Sequence, residues 1–114
     1  MIYFDNSSTT SLAPEVLAVY KQLLATTYGN PDSLHQVGRK ANGLMETARQ
    51  KIAHMLGVKG SEILFTASAS EANTMAIIGY ALANTSRGKH VLISNVEHPS
   101  VDHAADVLSQ LGFD

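Results

Sequence analysis

Two short apolar runs constrain this chain more than any other feature. Glu62-Ile63-Leu64-Phe65-Thr66 and His90-Val91-Leu92-Ile93-Ser94 each read as a buried strand, and a helical pattern follows each of them. Ala67 to Ser70 is a tight turn of small residues. It leads into a helix from about Glu71 to Ala83, with Met75, Ala76, Ile78 and Ala83 available for packing. Val96-Glu97-His98 reads as a loop, and Pro99 opens another helix that carries Val101, Ala105, Leu108 and Leu111. Strand–helix–strand–helix is the pattern of an α/β sheet. Two strands cannot make a sheet that covers itself, and a parallel sheet needs cover on both faces. Gly112-Phe113-Asp114 reads as a helix stop and the entry to a third strand. The expectation is therefore an incomplete α/β fold, a fragment of something larger.

The first half is simpler. Ile2 to Phe4 is a short strand candidate, and the Ser- and Thr-rich run Asp5 to Ser11 reads as a loop. Pro14 suits the first position of a helix, and Val16, Val19, Tyr20, Leu23 and Leu24 follow at helical spacing to about Thr26. Tyr28-Gly29-Asn30-Pro31-Asp32-Ser33 is dense in turn residues. A long helix is expected from about Ser33, as its cap, to Leu56. Its stripe is Leu34, Val37, Ala41, Leu44, Met45, Ala48, Ile52 and Met55, and Gly57 is a left-handed stop.

Composition narrows the function. Among the 114 residues the hydrophobic share is 45% and the charged share 16%, ordinary for a globular chain. A net charge of -2 without blocks of like charge gives nucleic-acid or membrane-surface binding no electrostatic support. No apolar run approaches a membrane span, and Met1 to Asn6 lacks the basic start and apolar stretch of a signal peptide, so a cytoplasmic location is expected. The sequence contains no cysteine, which removes disulfides, thiolate metal sites and a cysteine nucleophile within this chain.

Three segments could carry chemistry. In Thr66-Ala67-Ser68-Ala69-Ser70-Glu71, small residues lie between a strand and a helix, where unpaired N–H groups and hydroxyls suit a phosphate. The competing reading is a capping box from Ser68 to Glu71, which needs no ligand. Glu97-His98-Pro99 follows the second strand, at the carboxyl end where α/β sheets collect ligands. An imidazole at 98 could stack on a flat ring or move a proton, or simply cap its neighbours. Glu97, His98, Asp102 and His103 contain metal-ligand types but match no ligand motif, and a Ser100–His98–Asp102 triad lacks a nucleophile elbow. Gly29 to His35 is explicable as a turn and a helix cap.

Taken in order, these segments resemble the aminotransferase class V family, and within it the NifS/IscS-type cysteine desulfurases. Tyr3-Phe4-Asp5-Asn6-Ser7-Ser8-Thr9-Thr10 is similar to the family's Y-x-D-N-A-A-T-T. Tyr28 to His35 with Gly38-Arg39 resembles G-N-P-S-S-x-H. Phe65 to Glu71 with Ala76-Ile77 resembles F-T-S-G-A-T-E…A-I, and Glu97 to Val101 resembles E-H-x-[AS]-V. Ser68 stands where the family usually has Gly, Ser70 where it has Thr, and Asn73-Thr74 where Asp/Asn-Asn is frequent; Asp32 and Ser7-Ser8 also differ.

The resemblance implies a pyridoxal 5'-phosphate (PLP) enzyme. Ala69 and Ser70 match the pair that binds the cofactor phosphate, and His98 matches the histidine that stacks on the pyridine ring and assists proton transfer. Residues 1–57 would belong to the small domain and the domain link. Residues 58–114 would begin the α/β PLP-binding large domain, left incomplete. L-cysteine as substrate, a homodimer in the full-length protein, and a sulfur-acceptor or scaffold protein as partner are implied; nucleic acid and membrane are not. The reaction would convert L-cysteine to L-alanine plus an enzyme persulfide, supplying sulfur for iron–sulfur clusters or thiolation. The family anchors PLP on a lysine in a Ser-x-His-Lys context. None of Lys21, Lys40, Lys51, Lys59 and Lys89 has that context, and the sulfur-accepting cysteine is missing too. The chain alone is therefore expected to be inactive. A selenocysteine lyase, a class V aminotransferase or a non-catalytic remnant are the alternatives.

Overall fold

The computed structural model describes residues 2–114, which form two compact units, one ending at Ile63 and the other Leu64–Asp114. In the first unit, helix α1 (Pro14–Thr26) starts on Pro14 with Glu15 in the positive first turn, and closes where the Thr27 N–H donates to the Leu23 carbonyl at 2.8 Å. Its apolar residues Val16, Val19, Tyr20, Leu23 and Leu24 all stay exposed. Ile2 to Phe4 does not form the expected strand. A strand needs a partner ladder, and here the local bonds close a turn instead: Ser8 and Thr9 N–H groups donate to the Asp5 carbonyl at 3.1 and 3.3 Å.

Helix α2 (Gln36–Leu56) begins later than the Ser33 start expected from sequence, because His35 takes the cap. Its Nδ1 accepts the Gly38 N–H at 3.2 Å, while Ser33 is held in a turn whose N–H donates to the Asn30 carbonyl at 3.0 Å. Gly38 is buried, and a Cβ there would collide with the Ser33 and Asn30 carbonyls. At the far end Gly57 has φ 68°, and the Val58 N–H donates back to the Ala53 carbonyl at 3.0 Å, a left-handed closure. Ala53 is buried, and α2 packs on the 3₁₀ turn Gly60–Glu62. That turn is tied by the Lys59 N–H to Glu62 Oε2 at 2.7 Å. Arg49, paired with Glu46 at 2.9 Å, also donates to the Ile63 carbonyl. Those bonds draw Glu62 into a helical turn rather than a strand.

In the second unit, helix α3 (Ala69–Ala83) packs on helix α4 (Pro99–Gln110). Ser100, Ala104 and Leu108 lie four apart on one stripe of α4 and are buried; Phe113 completes the core, its N–H donating to the Leu108 carbonyl at 3.0 Å. The Lys89 ammonium sits 5.6 Å over the Phe113 ring. α3 starts at Ala69 rather than Glu71. From Met75 onward it is apolar on every side, through Ala76, Ile77, Ile78, Tyr80 and Leu82, yet it buries no residue.

Neither expected strand, 62–66 or 90–94, carries a ladder among the described residues. One pairing does occur. The Asp114 N–H donates to the Lys89 carbonyl at 2.8 Å, and the Val91 N–H donates to the Asp114 carbonyl at 2.7 Å. Two bonds from one residue to the flanking positions of another is the parallel pattern, so His90 and Asp114 form a parallel bridge. Gly112, at φ 81°, makes the turn into it. Surface area carries the same message as the missing ladders. The chain exposes 9265 Å², against ~7,300 Å² for two separate compact units of about 6 kDa each.

Candidate functional site

The turn before α3 is built by its own cap. Ser68, extended at φ -159° and ψ 164°, accepts the Glu71 N–H on its hydroxyl at 3.2 Å. Glu71 reaches back to the Ala67 N–H at 2.6 Å, one residue earlier than the N–H a capping box would use. Because φ here is extended, the serine needs no glycine-like freedom, and replacing the family's glycine is tolerated without strain. The cap thus consumes the N–H groups of Ala67 and Glu71. Those of Ala69 and Ser70, and the Ser70 hydroxyl, make no hydrogen bond among the described residues, and both residues are exposed. Two free N–H donors and one hydroxyl, at the positive end of a 15-residue helix, suit a phosphate-sized anion.

His98 is the N-cap of α4. Its Nδ1 accepts the Ser100 N–H at 3.2 Å and lies 2.8 Å from the Ser100 hydroxyl. Ser100 in turn receives a hydrogen bond from the Asn73 amide at 2.9 Å. Asn73 is the fifth residue of α3 and Ser100 the second of α4. This chain of bonds therefore ties the N-terminal portions of the two helices together. It brings His98 and the turn Ala69-Ser70 to the same end of the α3–α4 pair. His98 keeps its ring exposed, with Nε2 making no bond among the described residues.

The remaining candidates are engaged in local structure or lack a ligand set. His35 is a helix cap in the first unit. Among the described residues no group of three or more His, Cys, Asp or Glu side chains is placed to hold a metal ion. Glu97 accepts the Ser94 hydroxyl at 2.7 Å, a local loop bond. Sequence reasoning paired Ser100 with His98 only in a triad that it set aside, and it missed the Asn73–Ser100 bond. Asn73 and Ser100 are 27 residues apart, and only the helix packing brings them together.

The residues present fit the PLP phosphate: small side chains around unclaimed N–H groups, a free hydroxyl, and an imidazole at the same helix end. Known proteins bear on this. The sequence profile of the aminotransferase class-V family matches residues 2–114. A NifS/IcsS protein homolog of Lactobacillus delbrueckii subsp. bulgaricus is 48% identical over 113 residues, 99% of this chain and 29% of that protein. Cysteine desulfurase IscS 1 of Archaeoglobus fulgidus is 41% identical over 114 residues, 100% of this chain and 30% of that protein. Among solved structures, a NifS-like protein superposes with a TM-score of 0.89 at 37% identity, covering 99% of this chain and 31% of that one. SspA in complex with cysteine superposes with a TM-score of 0.85 at 37% identity, covering 98% and 32%. The chain thus spans under a third of the length of these relatives. Its two units carry part of an aminotransferase-type α/β fold, and the chain belongs to the aminotransferase class-V family.

Proposed function

We propose that this chain supplies the phosphate-binding turn and the ring-stacking histidine of a PLP-dependent cysteine desulfurase. One observation carries the reading: Ala69 N–H, Ser70 N–H and the Ser70 hydroxyl are left unclaimed by the cap, at the helix end that the Asn73–Ser100–His98 bonds share. When bound, PLP supplies an electron sink for reactions at the α-carbon of an amino acid. The chain's own part is to hold and orient. Ala69 and Ser70 grip the phosphate through three donors, and the α3 dipole favours its charge. His98 would lay its ring on the pyridine and, through its exposed Nε2, would hydrogen-bond an acceptor of the bound amino acid.

Within this reading, residues 1–57 belong to the small domain and link, and residues 58–114 to the large domain. The substrate is L-cysteine, the products are L-alanine and a persulfide, and the sulfur passes to an acceptor or scaffold protein for iron–sulfur clusters or thiolation. The working protein is a cytoplasmic homodimer. Its other segments cover the apolar circumference of α3 and the exposed face of α1. The PLP-anchoring lysine and the persulfide cysteine come from outside these 114 residues, which contain no cysteine. The chain alone is therefore inactive as a desulfurase.

The test is to add PLP to the purified chain, reduce with borohydride, map the peptides, and assay alanine release from L-cysteine. The reading expects neither a single specifically labelled lysine nor alanine. A stable pyridoxyl group on one lysine, or turnover, would contradict it.

A further inference from the structure

The bonds around His98 determine more than its position. Nδ1 faces the Ser100 backbone N–H at 3.2 Å, and a backbone N–H can only donate. Nδ1 must therefore present its lone pair. The Ser100 hydroxyl, 2.8 Å away, has a single proton to give. The Asn73 amide donates to that oxygen at 2.9 Å, which occupies a lone pair and leaves the hydroxyl proton free to point at Nδ1. Ser100 is about nine-tenths buried, so water does not compete freely for this bond. In a neutral imidazole with a bare Nδ1, the proton sits on Nε2.

We propose that Asn73 and Ser100 are positioning residues that fix His98 as the Nε2–H tautomer, so that its exposed nitrogen presents a proton rather than a lone pair to whatever binds beside it. This rests on the functional reading above only for what that partner is. The bonds themselves are independent of PLP. The consequence for the site is directional: an acceptor atom on the bound amino acid or cofactor is favoured next to His98 Nε2, and a donor is disfavoured. Asn73 acts through Ser100 and touches no ligand, so its part is orientation alone.

The test reads the tautomer directly. Histidine ring ¹⁵N signals of the full chain, recorded without cofactor at a pH where His98 is neutral, distinguish a bare Nδ1 from a protonated one. Wild type is expected to show a bare Nδ1 and a protonated Nε2. Asn73→Asp puts an acceptor where the amide donor was, turns the Ser100 hydroxyl proton away, and is expected to shift the signals toward the Nδ1–H form. Ser100→Ala is expected to move the Nδ1 signal by removing one of its two donors while leaving the helical circular dichroism unchanged. A protonated Nδ1 in wild type would overturn the proposal, as would ring signals identical in wild type and both variants. Titration of the same samples with PLP separates the two claims. Failure to bind PLP with the tautomer as expected counts against the functional reading alone, and PLP binding with the opposite tautomer counts against this inference alone.

Discussion

Ser68 and Ser70 are two residues apart, alike in chemistry and opposite in expected effect. The Ser68 hydroxyl is spent on the Glu71 N–H at 3.2 Å. Ser68→Ala removes an N-cap, which costs about 1 kcal/mol of stability. The Ser70 hydroxyl is exposed and makes no bond among the described residues, so Ser70→Ala changes stability by only ~0.5 kcal/mol or less. For phosphate binding the order reverses. A hydrogen bond to a charged group contributes about 1.5–3 kcal/mol. The exposure of Ser70 argues for the lower end, roughly a tenfold loss of affinity. Urea unfolding followed by circular dichroism measures the first quantity, and titration with PLP followed by absorbance measures the second. Pyridoxal, which lacks the phosphate, serves as control and is expected to bind wild type and Ser70→Ala alike. Equal weakening of PLP binding by both substitutions, or none by Ser70→Ala, would refute the division of labour at this turn.

Three further substitutions test the scaffold. Gly38→Ala pushes a Cβ into the Ser33 and Asn30 carbonyls, and its overpacking is expected to cost about 1–3 kcal/mol in urea unfolding. Gly57→Ala places a side chain on the left-handed closure of α2 at φ 68°, and a loss of about 1 kcal/mol is expected by the same measurement. Leu108→Ala removes the largest fully buried side chain among the described residues, in a unit whose core is small enough to relax around the gap. A loss of about 2 kcal/mol is expected, at the low end for such a change, and calorimetry gives it as a lowered Tm.

The helices are legible in the sequence because their signals are local. Pro14 at a first helical position, Gly57 after a long stripe, and Pro99 after His98 each act through backbone chemistry that the sequence displays. α1, for instance, runs from Pro14 to Thr26 as expected. The start of α2 is harder to place because two caps compete within three residues. Ser33 is drawn into a turn by Asn30, so His35 caps instead. The strands are illegible in a deeper sense. The runs at 62–66 and 90–94 have strand composition, but a ladder is a property of two segments, and the one bridge formed among the described residues is His90 with Asp114. At the candidate site, motifs are what single out Ala69, Ser70 and His98 for the proposed role, whereas the Asn73–Ser100 bond has no local sequence signal. A hydrogen bond between residues 27 apart depends on how α3 packs on α4, which no local pattern encodes.

A crystal structure of the protein with PLP bound decides where the cofactor goes. The phosphate is expected to accept from Ala69 N–H, Ser70 N–H and the Ser70 hydroxyl at roughly 2.7–3.2 Å, with the His98 ring lying flat over the pyridine. A phosphate seated away from the start of α3, or a pyridine ring with His98 turned to solvent, would contradict it.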